Sequence, residues 1–181
     1  EHTHMASAAR GEEVEEPVPV AAGFEAPIFG ARVVGQVTTL ALEGEDGPLS
    51  LGLAGVASDH AGAWYVSTKD SQLHVSPAGR VRRVAALPAS DVNSIAASPD
   101  GSAVFVADYS NSKIRRVEVA TGEVTTIAGS GTEGSADGVG EAAELNGPVE
   151  VAISPDGSTL LVASDGGLRQ VCVAAPPPPP S

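Results

Sequence analysis

Apolar runs of five or six residues recur along this chain, broken by turns rich in glycine, proline and aspartate. Runs such as Val104-Phe105-Val106-Ala107 are apolar on both faces, as a strand buried between two neighbouring sheets requires. Strands are predicted near 37–42, 53–57, 63–67, 73–75, 81–87, 93–98, 103–107, 113–119, 123–128, 149–154, 159–163 and 168–173. Their short, regular spacing is that of an all-β repeat. The turns have a mechanism. In Ser98-Pro99-Asp100-Gly101, proline sits at the second turn position, where its fixed φ suits a type I turn, and glycine sits at the fourth. Ser154-Pro155-Asp156-Gly157 repeats it.

The strand pattern is periodic at a longer scale. Gly35-Gln36-Val37-Thr38-Thr39-Leu40-Ala41 recurs as Gly79-Arg80-Val81-Arg82-Arg83-Val84-Ala85 and as Gly122-Glu123-Val124-Thr125-Thr126-Ile127-Ala128, with the glycines 44 and then 43 residues apart. Residues 97–108 match 153–164 at a shift of 56, and 58–68 is a degraded copy. Such periods indicate stacked supersecondary units, with propeller blades a leading candidate. Gly129, Gly131 and Gly134 have the G-x-G-x-x-G spacing of a phosphate-binding loop. That loop must open a helix, and Gly138, Gly140 and Gly147 leave no room for one. These glycines therefore belong to a connection between blades.

The stretch from Val106 to Ser164 resembles the NHL-repeat β-propellers. Asp108, Asn111, Ile114 and Arg115 fill the first part of that family's pattern. Val124 to Gly129, Asp137-Gly138, Asn146 and Pro148 fill the second. The resemblance is specific over 104–164, weaker over 35–85 and absent at both ends; Ser164 stands where the third copy should have aspartate. It implies an all-β fold of about three four-stranded blades, 35–78, 79–121 and 122–174, between an acidic arm at 1–34 and a polyproline tail at 175–181. Propellers close with roughly four to eight blades, so three make a partial propeller, completed by another chain or by further sequence. The first predicted strand is of the fourth-strand type and the last is of the third. Residues 37–42 of one copy are thus expected to complete the blade at 149–173 of another. Val37, Thr38, Thr39, Leu40, Leu168 and Cys172 are the expected inter-chain contacts.

Composition narrows the partners. Among 181 residues, 23 acids against 10 bases give a net charge of −13, which argues against nucleic acid. No run of 18 apolar residues is present, so no membrane insertion is expected. One cysteine, Cys172, rules out an internal disulfide. Protein partners remain: self-association or another propeller fragment. Arg80, Arg82, Arg83, Lys113, Arg115 and Arg116 form a basic cluster, expected to pair with neighbours such as Glu118 or with the acidic arm of an adjacent molecule. The chain does not begin with Met, which fits a processed or truncated form. The prolines Pro176, Pro177, Pro178, Pro179 and Pro180, followed by Ser181, favour a polyproline II rod. With the acidic, alanine-rich composition, that tail resembles extracellular algal glycoproteins, which implies glycosylation there.

Catalytic chemistry has little to stand on. Metal-dependent propeller lyases and lactonases need several ligands converging on a channel. His60 and His74, the non-terminal histidines, do not occupy equivalent repeat positions. Asp108, Asn111 and Arg115 are expected to be structural, with Arg115 tying one blade to the next, and Asn146 and Pro148 belong to the same motif. Asp137, Glu141 and Glu144 offer carboxylates to Ca²⁺, but their spacing fits no EF-hand. No cofactor is expected. The two resemblances together imply a secreted, non-catalytic structural or interaction module of a matrix, wall or surface appendage. The alternatives are a lyase- or lactonase-type propeller enzyme and a fragment of an intracellular adaptor.

Overall fold

The computed structural model describes residues 43–44, 47–48, 52–69, 71–76, 80–87 and 90–173. The arm, the strand expected at 37–42 and the proline tail lie outside them. Two short bridges come first, β1 (Glu43–Gly44) and β2 (Gly47–Pro48). Three antiparallel meanders follow. The first comprises β3 (Leu53–Ser58), β4 (Trp64–Thr68), β5 (Ser71–Val75) and β6 (Arg80–Ala86). The second comprises β7 (Val92–Ala97), β8 (Ala103–Asp108), β9 (Lys113–Glu118) and β10 (Val124–Ala128). The third has β11 (Pro148–Ile153), β12 (Thr159–Ser164) and β13 (Gly167–Cys172). Each strand from β3 to β13 falls within two residues of its predicted position. The sequence pattern did not foresee β1, which pairs in parallel with β6, Glu43 opposite Arg80.

The three sheets superpose by register. Val56 pairs with Val66, Ile95 with Val106, and Val151 with Val162. The innermost strand of each sheet carries a bulge at the same place, after Leu53, Val92 and Pro148. The turns repeat as well. In the second sheet the Ser98 and Ser102 hydroxyls and the Ser102 N–H all donate to Asp100 Oδ1 at 2.6, 2.8 and 3.0 Å, while Gly101 takes φ 70°. In the third, Ser154 and Ser158 treat Asp156 in the same way, and Gly157 takes φ 73°. Those donors, Ser98 first, pull the Asp100 carboxyl down to about 2.

The sheets stack face to face as propeller blades, β3 on β7 and β7 on β11. Every residue of β8 is buried, because the middle blade has a neighbour on each side. Val104 and Val106 pack with Tyr65, Ala85, Ile95 and Val117 toward the first blade. Phe105 and Ala107 pack with Ile114, Val151, Leu160 and Val162 toward the third. Each large side chain so buried contributes about 1.5–3 kcal/mol. Two close approaches fix the spacing. A Cβ on Gly122, at φ 74°, would lie 2.3 Å from the Val84 carbonyl oxygen of the first blade. The Ser94 hydroxyl of β7 donates to Glu150 at 2.7 Å and accepts the Val151 N–H at 3.3 Å, so it ties β7 to β11.

Candidate interaction surface on the third blade

Equivalent positions in the repeat meet different surroundings. In the middle blade Phe105 is 1% exposed and Ile114 is fully buried, both against the third blade. The pairings Phe105–Arg116 and Ala107–Ile114 correspond to Leu161–Gln170 and Ala163–Leu168. Leu161 and Leu168 therefore hold the places of Phe105 and Ile114, yet they are 47% and 71% exposed. The residue types suit a covered face, and no described residue covers it. The opposite end shows the same signature: Val56, equivalent to the buried Ile95 and Val151, is 62% exposed.

The third blade is also short of a strand. In the first two blades the third strand carries a fourth on its outer edge, β6 on β5 and β10 on β9. Among the described residues nothing pairs with the outer edge of β13. A cleft of about 570 Å³ lies beside that edge, with Ile127, Ala128 and Leu145 on one wall and Leu168, Val171 and Cys172 on the other. Both Leu168 and Cys172, expected from the sequence to be contacts, lie here; Cys172 is free and exposed. Val37, Thr38, Thr39 and Leu40 fall outside the described residues.

Arg169 lines the cleft. It matches Arg115, since Arg115 pairs with Val106 and Arg169 with Val162. In the middle blade Asp108 is fully buried and accepts from Arg115 Nε at 3.0 Å, Asn111 Nδ2 at 2.9 Å and the Ser90 hydroxyl at 3.1 Å. Arg115 Nη1 also donates to Thr126 Oγ1 on β10 at 3.1 Å. These bonds hold Arg115 within its own blade, where the sequence reading had it reaching to the next. Ser164 cannot play the part of Asp108, so Arg169 turns to the connecting loop instead. It donates to Asp137 Oδ1 at 2.6 Å and to the Glu144 carbonyl at 3.1 Å. Pro148 is buried at the start of β11, and the Asn146 carbonyl accepts the Asp165 N–H at 2.9 Å. Ile114 sits in the core between the second and third blades.

The remaining candidates do not converge. Asp137 faces Arg169, whereas Glu141 lies 3.9 Å from Lys113. Among the described residues no three His, Cys, Asp or Glu side chains gather as metal ligands would. His60 is exposed in a turn. His74 packs edge-on against Tyr65, its ring 5.3 Å away; burial, aided by the Arg82 charge, lowers its pKa. Burial, then the Asp59 carboxylate, pushes the Tyr65 hydroxyl up to about 12. The basic cluster disperses: Arg116 pairs with Glu118, Arg115 with Asp108, and Arg82 reaches the Val119 carbonyl at 3.4 Å. No helix among the described residues is long and apolar enough to cross a membrane.

Sequence reasoning had not marked Leu161 or Val56. Their signal is the register equivalence with Phe105 and Ile95, which needs the strand pairing.

No protein-family model matches the chain, and no curated protein does. Solved structures match by fold. Hydrazine synthase from Kuenenia stuttgartiensis superposes with a TM-score of 0.54 at 18% identity, over 79% of this chain and 36% of that one. A structural-genomics protein of unknown function from Bacteroides thetaiotaomicron gives 0.52 at 20% identity, over 61% of this chain and 32% of that one. The chain is an all-β, β-propeller-type fold of three blades. It spans about a third of the length of each of these neighbours.

Proposed function

We propose that this chain is a non-catalytic protein-interaction module whose working surface is the open face and edge of its third blade. One observation carries the reading: Leu168 is exposed at the repeat position where Ile114 is sealed in the core. A sheet face with core chemistry and no cover is an association site. The propeller-type fold supports an interaction role. Leu168→Glu tests it. The variant should fold like the wild type, because Leu168 is exposed, and should lose association at least tenfold in sedimentation velocity. Unchanged association would remove the third blade as the working surface.

We further propose that the module is a structural component outside the cell, on a wall, matrix or appendage. Support comes from the five prolines before Ser181 and the acidic, alanine-rich composition. Mass spectrometry of protein from its natural source should find hydroxyproline or sugar on Pro176–Pro180 or Ser181. Unmodified tail peptides throughout would count against this setting.

A further inference from the structure

We infer that the cleft beside β13 accepts residues 35–40 of a second copy of this chain as the fourth strand of the third blade. The inference rests on the interaction reading above and names its partner. Three observations select this occupant.

The first is the type of strand that fills the equivalent place. The outer strands β6 and β10 are the second and third copies of the repeated heptad at 79–85 and 122–128; the first copy is 35–41. In the middle blade Val124 pairs with Val117, Thr126 with Arg115 and Ala128 with Ile114. Transferred to the third blade, that register sets Val37 opposite Val171 and Thr39 opposite Arg169, and it leaves residues 41 and 42 to run back to β1. Thr39 then meets Arg169 as Thr126 meets Arg115. Val124 turns toward the first blade and Ile127 toward the third; by the same pattern Val37 turns into the cleft walled by Ile127, Ala128, Leu145 and Val171, and Leu40 turns to the open face. Strand addition to an exposed edge supplies main-chain hydrogen bonds for affinity, and its alternating side chains supply specificity.

The second is that the chain's own continuation is unsuited to the place. After Val75 ends β5, β6 starts at Arg80, and after Glu118 ends β9, β10 starts at Val124. The same spacings after Cys172 fall on Pro177 and Pro178. Proline has no N–H to give to a ladder.

The third is reach, which separates a second copy from the same one. Residue 43 is held in β1 beside Arg80, on the outer edge of the first blade. From residue 40 to residue 43 the chain spans at most about 10 Å, enough to reach one stacked neighbouring blade and no further. The third blade lies two sheet spacings away, about 20 Å at the usual face-to-face distance. The heptad cannot sit on β13 of its own chain while β1 is paired. Reciprocal donation between two copies places a strand on each open edge and brings the exposed ends of the two stacks together.

The test uses the full chain. Sedimentation velocity over a wide concentration range should show a species of twice the protomer mass. Thr38→Pro/Thr39→Pro removes two successive N–H groups, one of which must face β13 because strand groups alternate. It should weaken the pair at least tenfold without altering the fold. A synthetic peptide of residues 35–42 should dissociate the wild-type pair and slow exchange of the β13 amides, and its proline-substituted form should do neither. A chain that stays monomeric throughout overturns the inference, as does a pair indifferent to the prolines and the peptide. If Leu168→Glu breaks the pair and the prolines do not, the interaction surface stands and strand donation falls.

Discussion

Replacing Asp108 with alanine should destabilise the protein by about 3 kcal/mol, because its carboxylate is fully buried and accepts three donors. Breaking a buried ion pair costs about 3–5 kcal/mol. Arg115 keeps about a quarter of its side chain in water and can partly resolvate, which puts the cost at the low end. With a urea m-value of about 1–3 kcal/mol/M for a domain of this size, the midpoint should fall by about 1–3 M. Far-UV circular dichroism across a urea titration reads it. Two further variants separate the network from a general core defect. Asp108→Ala/Arg115→Met should cost less than the sum of its parts by about 1 kcal/mol, since removing both partners leaves no orphan charge. Ser164→Ala, at the equivalent place in the third blade, should stay within about 0.5 kcal/mol of wild type. A loss below about 0.5 kcal/mol for Asp108→Ala would refute the view that this aspartate anchors the middle blade.

Three other substitutions probe the packing between blades. Gln72, buried with both amide atoms unpartnered among the described residues, occupies the place of Ile114; Gln72→Leu should raise stability by about 1–2 kcal/mol in the same urea assay. Gly122→Ala forces a side chain at φ 74° against the Val84 carbonyl and should lower the melting temperature, at a cost of about 1–3 kcal/mol in backbone strain alone. His74 has a folded pKa below 6.5, so the unfolded chain takes up its proton first and stability falls as pH drops from about 6.5 toward the lower folded value. Comparing urea midpoints at about pH 7.5 and about pH 5, His74→Gln should show a shallower loss than wild type.

The strands from β3 to β13 were legible because their turns carry their own chemistry. Pro99-Asp100-Gly101 and Pro155-Asp156-Gly157 mark hairpins by residue type alone, and the repeated heptad marks each outer strand. β1 and β2 were not legible, since two-residue bridges have no period and their glycines and Pro48 speak against a strand. The candidate surface was half legible. Leu168 and Cys172 could be placed at an edge because the last blade runs out of strands. Which residues face outward needed the register. A two-residue turn at Asp165-Gly166 joins β12 to β13 where four residues join β8 to β9; that shortfall is visible in the sequence and aligns Leu168 with Ile114, but it does not tell which face either side chain takes. Arg115 could be recognised as a motif residue, but its direction depends on the pleat, and the pleat turns it onto Asp108 in its own blade.

Hydrogen exchange at β13 in the full chain, followed as a function of protein concentration, bears most directly on the open third blade. In dilute protein, the amides of residues 167–172 that do not bond to β12 should exchange rapidly, and they should become protected as the concentration rises, in step with the loss of monomer. Slow exchange of these amides in a chain that sediments as a monomer would mean that the edge is already covered and that no partner is needed to complete the blade.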